Sequence, residues 1–367
     1  MKTTKRISVG ISVKTLILAI SLIIGLTACG STDNTAGSTQ GSNVSSSTKA
    51  SNTAAVGSTS ADKSGSNKGF KFGKLKIQAL GGGACGAPSY IALEKGFFAE
   101  EGLDVELVSG TLDQLKTGLV TGEFTVTNGD FQYFPSIQQG MDLKIIGGLH
   151  KGCIRLVVPP NSPIKTAKDL KGKKIGVDEI GGTPMSVATI VLANAGIDPQ
   201  TEVTWLPYPL DQLTQAVKKG EIDAFAAWDP YGVLAEKNEG YTSLSDISTD
   251  PLFAGKSCCF LYASKKQIDE NPERVAAIAR AYKKATEWIK ANPEETAKIE
   301  IEKKYVATDD IKLLTDLINS YDYEYTTANA YDDTKYFVEQ FNKTGFLKKD
   351  TDPKSFADQV YYDILNK

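Results

Sequence analysis

The sequence predicts an α/β protein built as two similar lobes with a ligand cleft between them. Three observations carry that prediction. Short apolar strand-like runs alternate with helical runs along most of the chain, a pattern that leads to sheets covered by helices. One strand–loop–helix unit is written twice, about one hundred residues apart: "KLKIQALGGGACGAP" from Lys74 and "KKIGVDEIGGTP" from Lys173. Both copies place glycines just before a proline that suits the first turn of a helix, where its missing N–H costs nothing.

The first residues precede the fold. Lys2, Lys5 and Arg6 give a positive start, and Thr15 to Leu26 is an apolar run too short to span a bilayer comfortably. Residues 1–28 therefore read as a secretory signal peptide. The stretch "LTAC", Leu26 to Cys29, resembles the lipobox of bacterial lipoproteins. That resemblance implies cleavage before Cys29, lipid on Cys29, and residence on the outer face of the cell membrane. Residues 29–69 are then the anchor and a Ser/Thr/Gly tether too poor in apolar surface to offset its ordering entropy.

The charge balance is mildly acidic. Four of the 41 Lys+Arg and none of the 44 Asp+Glu fall in residues 1–28, which leaves net −7 for the mature form. Without a basic cluster, nucleic acid is not an expected partner. Four cysteines after Cys29 are too few for a disulfide scaffold in a fold of this size.

In the folded part, "KLKIQAL" and "DVELV" (Asp104 to Val108) read as strands, with Gly96 and Gly102 stopping the helical turns between them. The pair "LKTGLVTGEFTVTNGD" and "LTQAVKKGEIDAFAAWDP" repeats a second unit: helix, Gly-Glu break, strand, polar loop. Strand–helix–strand units imply parallel sheets. Residues 70–160 with 255–367 form the expected first lobe and 161–254 the second. "RLVVPPNSP" (Arg155 to Pro163) marks the first crossing, and "DPLFAGKSCCFLYAS" returns as an apolar strand. In "NPERVAAIARAYKKATEWIKAN", Asn271 caps a helix whose Val275, Ile278, Tyr282 and Ile289 share one face.

Ligands in such sheets bind beyond the carboxyl ends of the strands. The candidate ligand residues are Gly82, Gly83, Cys85, Asp130, Phe131, His150 and Cys153 on one side. On the other they are Gly182, Thr183, Trp228 and Asp229. Glycines allow close backbone approach, helix N-termini favour an anion, and Phe131 and Trp228 offer faces for a ring or an ammonium. Asp130 and Asp229 would repel an oxyanion unless paired with Lys151 or Arg155. "HKGC" and the Cys258–Cys259 pair suggest a metal only weakly. Neighbours in a regular strand face opposite ways, so no metal site and no cofactor is expected.

Taken together, "YIALEKGFFAEEGLDVELV", "LVTGEFTV", "SPIKTAKDLKGKKIGV", "AWDPY" and the late helix resemble the substrate-binding proteins of ABC importers. The similarity is to the group serving nitrate, sulfonate, taurine and thiamine-pyrimidine uptake, and it runs from Lys71 to the end. It implies the type II periplasmic-binding-protein fold, a small organic or oxyanion solute, delivery to an ABC transporter permease, and a monomer. The "SCCFLY" run resembles the cysteine-rich stretch of the eukaryotic branch that makes the thiamine pyrimidine. With two adjacent cysteines, one histidine and no nucleophile triad, an enzyme acting on that precursor is the weaker alternative. A surface sensor would need the same closure as a transport receptor.

Overall fold

The computed structural model describes residues 69–366. The expected signal segment (1–28), Cys29 and residues 30–68 of the tether lie outside them. Among the described residues no helix is long and apolar enough to cross a membrane.

Ten strands form two five-stranded sheets: β1 Lys74–Gln78, β2 Asp104–Val108, β3 Phe124–Gly129, β4 Leu143–Lys151, β5 Ile154–Val158, β6 Lys174–Val177, β7 Thr204–Pro207, β8 Ala224–Trp228, β9 Thr242–Asp246 and β10 Ser257–Ser264. The first sheet has the order β2-β1-β3-β10-β4 and the second β7-β6-β8-β5-β9. In each, three strands run parallel while the fourth runs antiparallel to both of its neighbours. The sheets are therefore mixed and not purely parallel as the sequence suggested. β5 in the second sheet occupies the place that β10 holds in the first, so the repeat extends to strand order.

Burial follows position in the sheet. β3, β8 and β10 are central, and every residue in them is buried. β2 and β7 are edge strands and are only half-buried or exposed. Near-continuous apolar runs mark strands covered on both faces.

The helices start and stop where local chemistry dictates. Pro88 sits in the first turn of the helix Ala87–Glu94. Asn271 caps Pro272–Ala291 by accepting a 3.0 Å bond from the Arg274 N–H. Val275, Ile278, Tyr282 and Ile289 are all fully buried, where this helix packs against Ala87–Glu94 and β4.

The first crossing between sheets falls earlier than expected. Ile154–Val158 pairs with β8 and β9, so the chain changes sheet within Lys151–Ile154, and Pro159–Pro160 follows the crossing instead of marking it. The run is apolar enough to be central in either sheet, and pairing decides the matter. β10 belongs to the first sheet, between β3 and β4. Near the carboxyl end of the chain, the helix Ala328–Thr344 packs against β4 and β10 and also against the helix Thr183–Asn194. Asn194 donates to Gln340 at 3.2 Å across that contact.

A closed cleft of unpaired acceptors and a thiol cluster

The carboxyl ends of the parallel strands meet between the two sheets. β10 and β5 run antiparallel, so their amino-terminal ends lie in the same region. Cys258 and Cys259 thus come to β3 and β4, while Cys153 comes to the end of β8.

The glycine loop after β1 touches the other half directly. Ala84 N–H donates to the Asp229 carbonyl at 3.1 Å. Gly82 has φ +80°, and a Cβ there would sit 3.2 Å from the Tyr231 hydroxyl. Only a glycine combines this backbone with that approach. Gly82 N–H is bound to the Tyr305 carbonyl at 3.0 Å and Gly86 N–H to Gly83 at 3.1 Å. On the second side Gly182 N–H goes to Glu179 and Gly181 N–H to the Met185 sulfur. Much of the donor set expected to greet an anion is therefore engaged within the protein.

Side-chain acceptors are left over instead. Asp130 is 0 % exposed, and its Oδ1 accepts from Gln132 N–H at 3.2 Å while Oδ2 has no partner. Asn128 donates to the Cys85 carbonyl at 3.1 Å, leaving its Oδ1 unbonded. Asp178 holds Trp228 through a 2.8 Å bond from the indole N–H, and its Oδ1 is unbonded too. Thr183 Oγ1, the His150 Nε2 nitrogen and the Tyr133 hydroxyl are also unbonded. Buried polar atoms are ordinarily paired, so these orphans at or near the strand ends call for a partner from outside the protein. Burial pushes the pKa of Asp130 well up, opposed only by the Gln132 N–H, and it raises that of Asp178 as well.

Asp229 behaves differently. It is 1 % exposed and accepts from Arg155 Nε at 3.0 Å, Val233 N–H at 3.3 Å and the Tyr321 hydroxyl at 3.3 Å. Arg155 also reaches Asp246 at 2.5 Å and Glu236 at 3.4 Å. Burial lifts the Asp229 pKa to about 6 against the pull of Arg155. This carboxylate closes a structural ion network and is not aimed at a solute. Lys151 is likewise taken, by Asp322 at 2.6 Å.

Phe131 is also placed apart from the expected role. Its ring is wholly buried against Phe134, Phe260, Phe337 and Phe341, with centroids 4.2 to 5.9 Å away. Residue 131 follows the strand end but turns its side chain into the first half's core. Trp205 and Tyr208 belong to edge strand β7 and its following loop, bonded to Pro199 and Glu221. Trp228 stays at the cleft, 8 % exposed.

The cysteines overturn the geometric argument against a shared site. Sγ of Cys153 lies 3.6 Å from Cys258 and 4.0 Å from Cys259, and the latter two are 3.8 Å apart. The β10–β4 ladder shifts register on both sides of Cys259. Such an irregularity re-aims side chains, so the strict alternation of a regular strand does not apply. His150 pairs with Cys259 in the ladder, stacks on Tyr321 at 5.5 Å, and brings Nδ1 to 3.9 Å from Cys258 Sγ. Cys85, 1 % exposed, neighbours the Cys153 and Cys259 thiols, which hold its own pKa down. A metal was not expected from the sequence, yet four buried ligand atoms lie within 4.8 Å of one another.

Sequence reasoning missed Asn128, Asp178, Tyr321 and Tyr323. Asp178 immediately follows β6, so the strand-end rule could have found it. Asn128 lies within the "TNGD" strand end by the same rule. Tyr321 and Tyr323 come from a connection between late helices, where nothing in "SYDYEY" signals a cleft.

Comparison with known proteins agrees with this architecture. The family model described as "NMT1/THI5 like" matches residues 86–296, more than half of the chain. The nitrate/nitrite binding protein NrtA of Nostoc sp. is 28% identical over 253 residues, covering 61% of this chain and 57% of that protein. A putative aliphatic sulfonates-binding protein of Bacillus subtilis is 27% identical over 219 residues, with 58% and 64% covered. The chain thus spans about three fifths of the length of these curated relatives. Among solved structures, the periplasmic aliphatic sulphonate binding protein SsuA from Escherichia coli superposes with a TM-score of 0.63 at 19% identity, covering 79% of this chain and 92% of that one. That likeness speaks for the fold: two α/β halves of a periplasmic binding protein. By strand order, repeat and the extent of the family match, this chain belongs to the NMT1/THI5-like family.

Proposed function

We propose that the protein is an extracytoplasmic, lipid-anchored receptor that captures a small solute in the cleft and delivers it to an ABC transporter permease. The observation that carries this reading is the group of orphaned acceptors on Asn128, Asp130, Asp178 and Thr183. A solute presenting N–H donors would satisfy them, and Trp228 offers an apolar face beside Asp178. An amino-substituted heterocycle of the aminopyrimidine class fits better than nitrate or an alkanesulfonate. Among the charged neighbours named above, Arg155 and Lys151 are already paired, so neither is free to meet an oxyanion. Lipidation at Cys29 and the tether belong to the same reading. The kinship to binding proteins supports capture over turnover.

Equilibrium dialysis of the full-length chain in detergent against an aminopyrimidine tests this. One equivalent should bind per chain and be recovered chemically unchanged. Conversion of the bound compound, or saturation by nitrate with no uptake of the heterocycle, contradicts the proposal.

A further inference from the structure

We infer that His150, Cys153, Cys258 and Cys259 form a closed, four-coordinate site for a thiophilic metal ion of the zinc class. The three Sγ–Sγ separations are 3.6, 3.8 and 4.0 Å. A tetrahedral ion with bonds of about 2.3 Å to sulfur sets its sulfurs about 3.8 Å apart. The fourth vertex is an imidazole nitrogen, and all four ligand atoms fall within 4.8 Å. Each side chain is 3 % exposed or less, so no solvent competes for the ligands.

Thiol packing alone accounts poorly for the arrangement. A disulfide uses two sulfurs and would leave the third thiol and the imidazole gathered for no purpose. Metal coordination uses all four. The surroundings also suit a held ligand set. His150 packs against both Tyr321 and Tyr323, with ring centroids at 5.5 and 5.0 Å. Cys85 neighbours two of the thiols from outside the quartet, where an outer-shell partner would sit.

The position gives the ion a mechanical role. His150 is the penultimate residue of β4, Cys153 lies on the first crossing between the sheets, and Cys258–Cys259 are the second and third residues of β10, after the second crossing. One ion at this point ties the outgoing and returning chains together at the base of the cleft. The site stands apart from the solute reading: none of its sulfurs is among the orphaned atoms, and His150 turns Nδ1 toward Cys258.

The full-length protein, purified in detergent without oxygen and stripped with chelator, is titrated with cobalt(II) and then zinc(II). One ion per chain is expected, with an intense thiolate-to-cobalt band in the near ultraviolet that zinc abolishes, and proton release as thiols give up their hydrogens. The Cys153→Ser/Cys258→Ser double variant should lose more affinity than the about 10–100-fold typical of an outer-shell change, and Cys85→Ser should keep the band. If the double variant does not fold, the wild-type cobalt spectrum still decides. Absence of a stoichiometric thiolate band, or a disulfide among Cys153, Cys258 and Cys259 in freshly isolated protein, overturns the assignment.

Discussion

Asp130→Asn should make the ligand-free protein more stable and a worse receptor. Asp130 is completely buried, with one backbone donor on Oδ1 and none on Oδ2. Burial is the main reason its pKa is raised, and Cys258, Cys85 and Asp178 add to the effect. Its folded pKa therefore lies above the unfolded value near 3.8. The stability it contributes is fully present below that unfolded value and is lost as pH rises through the folded one. One such proton changes stability by at most about 1.4 kcal/mol per pH unit. An orphaned buried polar group costs about 1–3 kcal/mol. The variant should thus gain about 1–3 kcal/mol at pH 7.5 and less at pH 5, read from urea midpoints at equal m by tryptophan fluorescence. Its affinity for an N–H-bearing solute should fall about 10- to 150-fold, the worth of a charged hydrogen bond. A variant less stable than wild type at both pH values, or one that binds undiminished, refutes the reasoning.

Two other substitutions separate scaffold from site. Arg155→Met strands the buried Asp229 and the nearby Asp246, so it should cost about 3–5 kcal/mol at pH 7.5. The loss should shrink toward pH 5, because Asp229 already titrates near 6 and protonation relieves its unpaired charge; a pH-independent loss in urea titrations would count against the network. Phe131→Ala empties a slot in the five-ring cluster and should cost about 3–5 kcal/mol. Solute affinity per folded molecule should stay within about threefold in calorimetric titration, and a large drop would return Phe131 to the cleft.

The sequence made the order of elements legible because local signals agreed with the tertiary outcome. Pro88, Gly96 and the Asn271 cap act within one turn of chain, and the duplicated unit reappears in both sheets as the same strand order. The strand-end rule pointed to Asp130, which directly follows β3, and to Trp228, which ends β8. It could not foresee which way a side chain turns after the strand, which is why Phe131 went to the core. Nor could it see partners distant in sequence: Arg155 meets Asp229 across 74 positions, and Cys153 meets Cys258 across 105. The register shift that lets adjacent cysteines share one site is a property of the β10–β4 pairing and leaves no mark in "SCCF".

The most direct test of the central claim is a thermal-shift series on the full-length protein at pH 7.5, comparing aminopyrimidines and small amines with nitrate and alkanesulfonates. Capture of a donor-bearing solute at 100 times its Kd should add about 2.7 kcal/mol of stability. A clear rise in Tm with the donor-bearing compounds, absent with the oxyanions and lost in Asp130→Asn, is the predicted result. A rise confined to nitrate or the sulfonates would contradict the account.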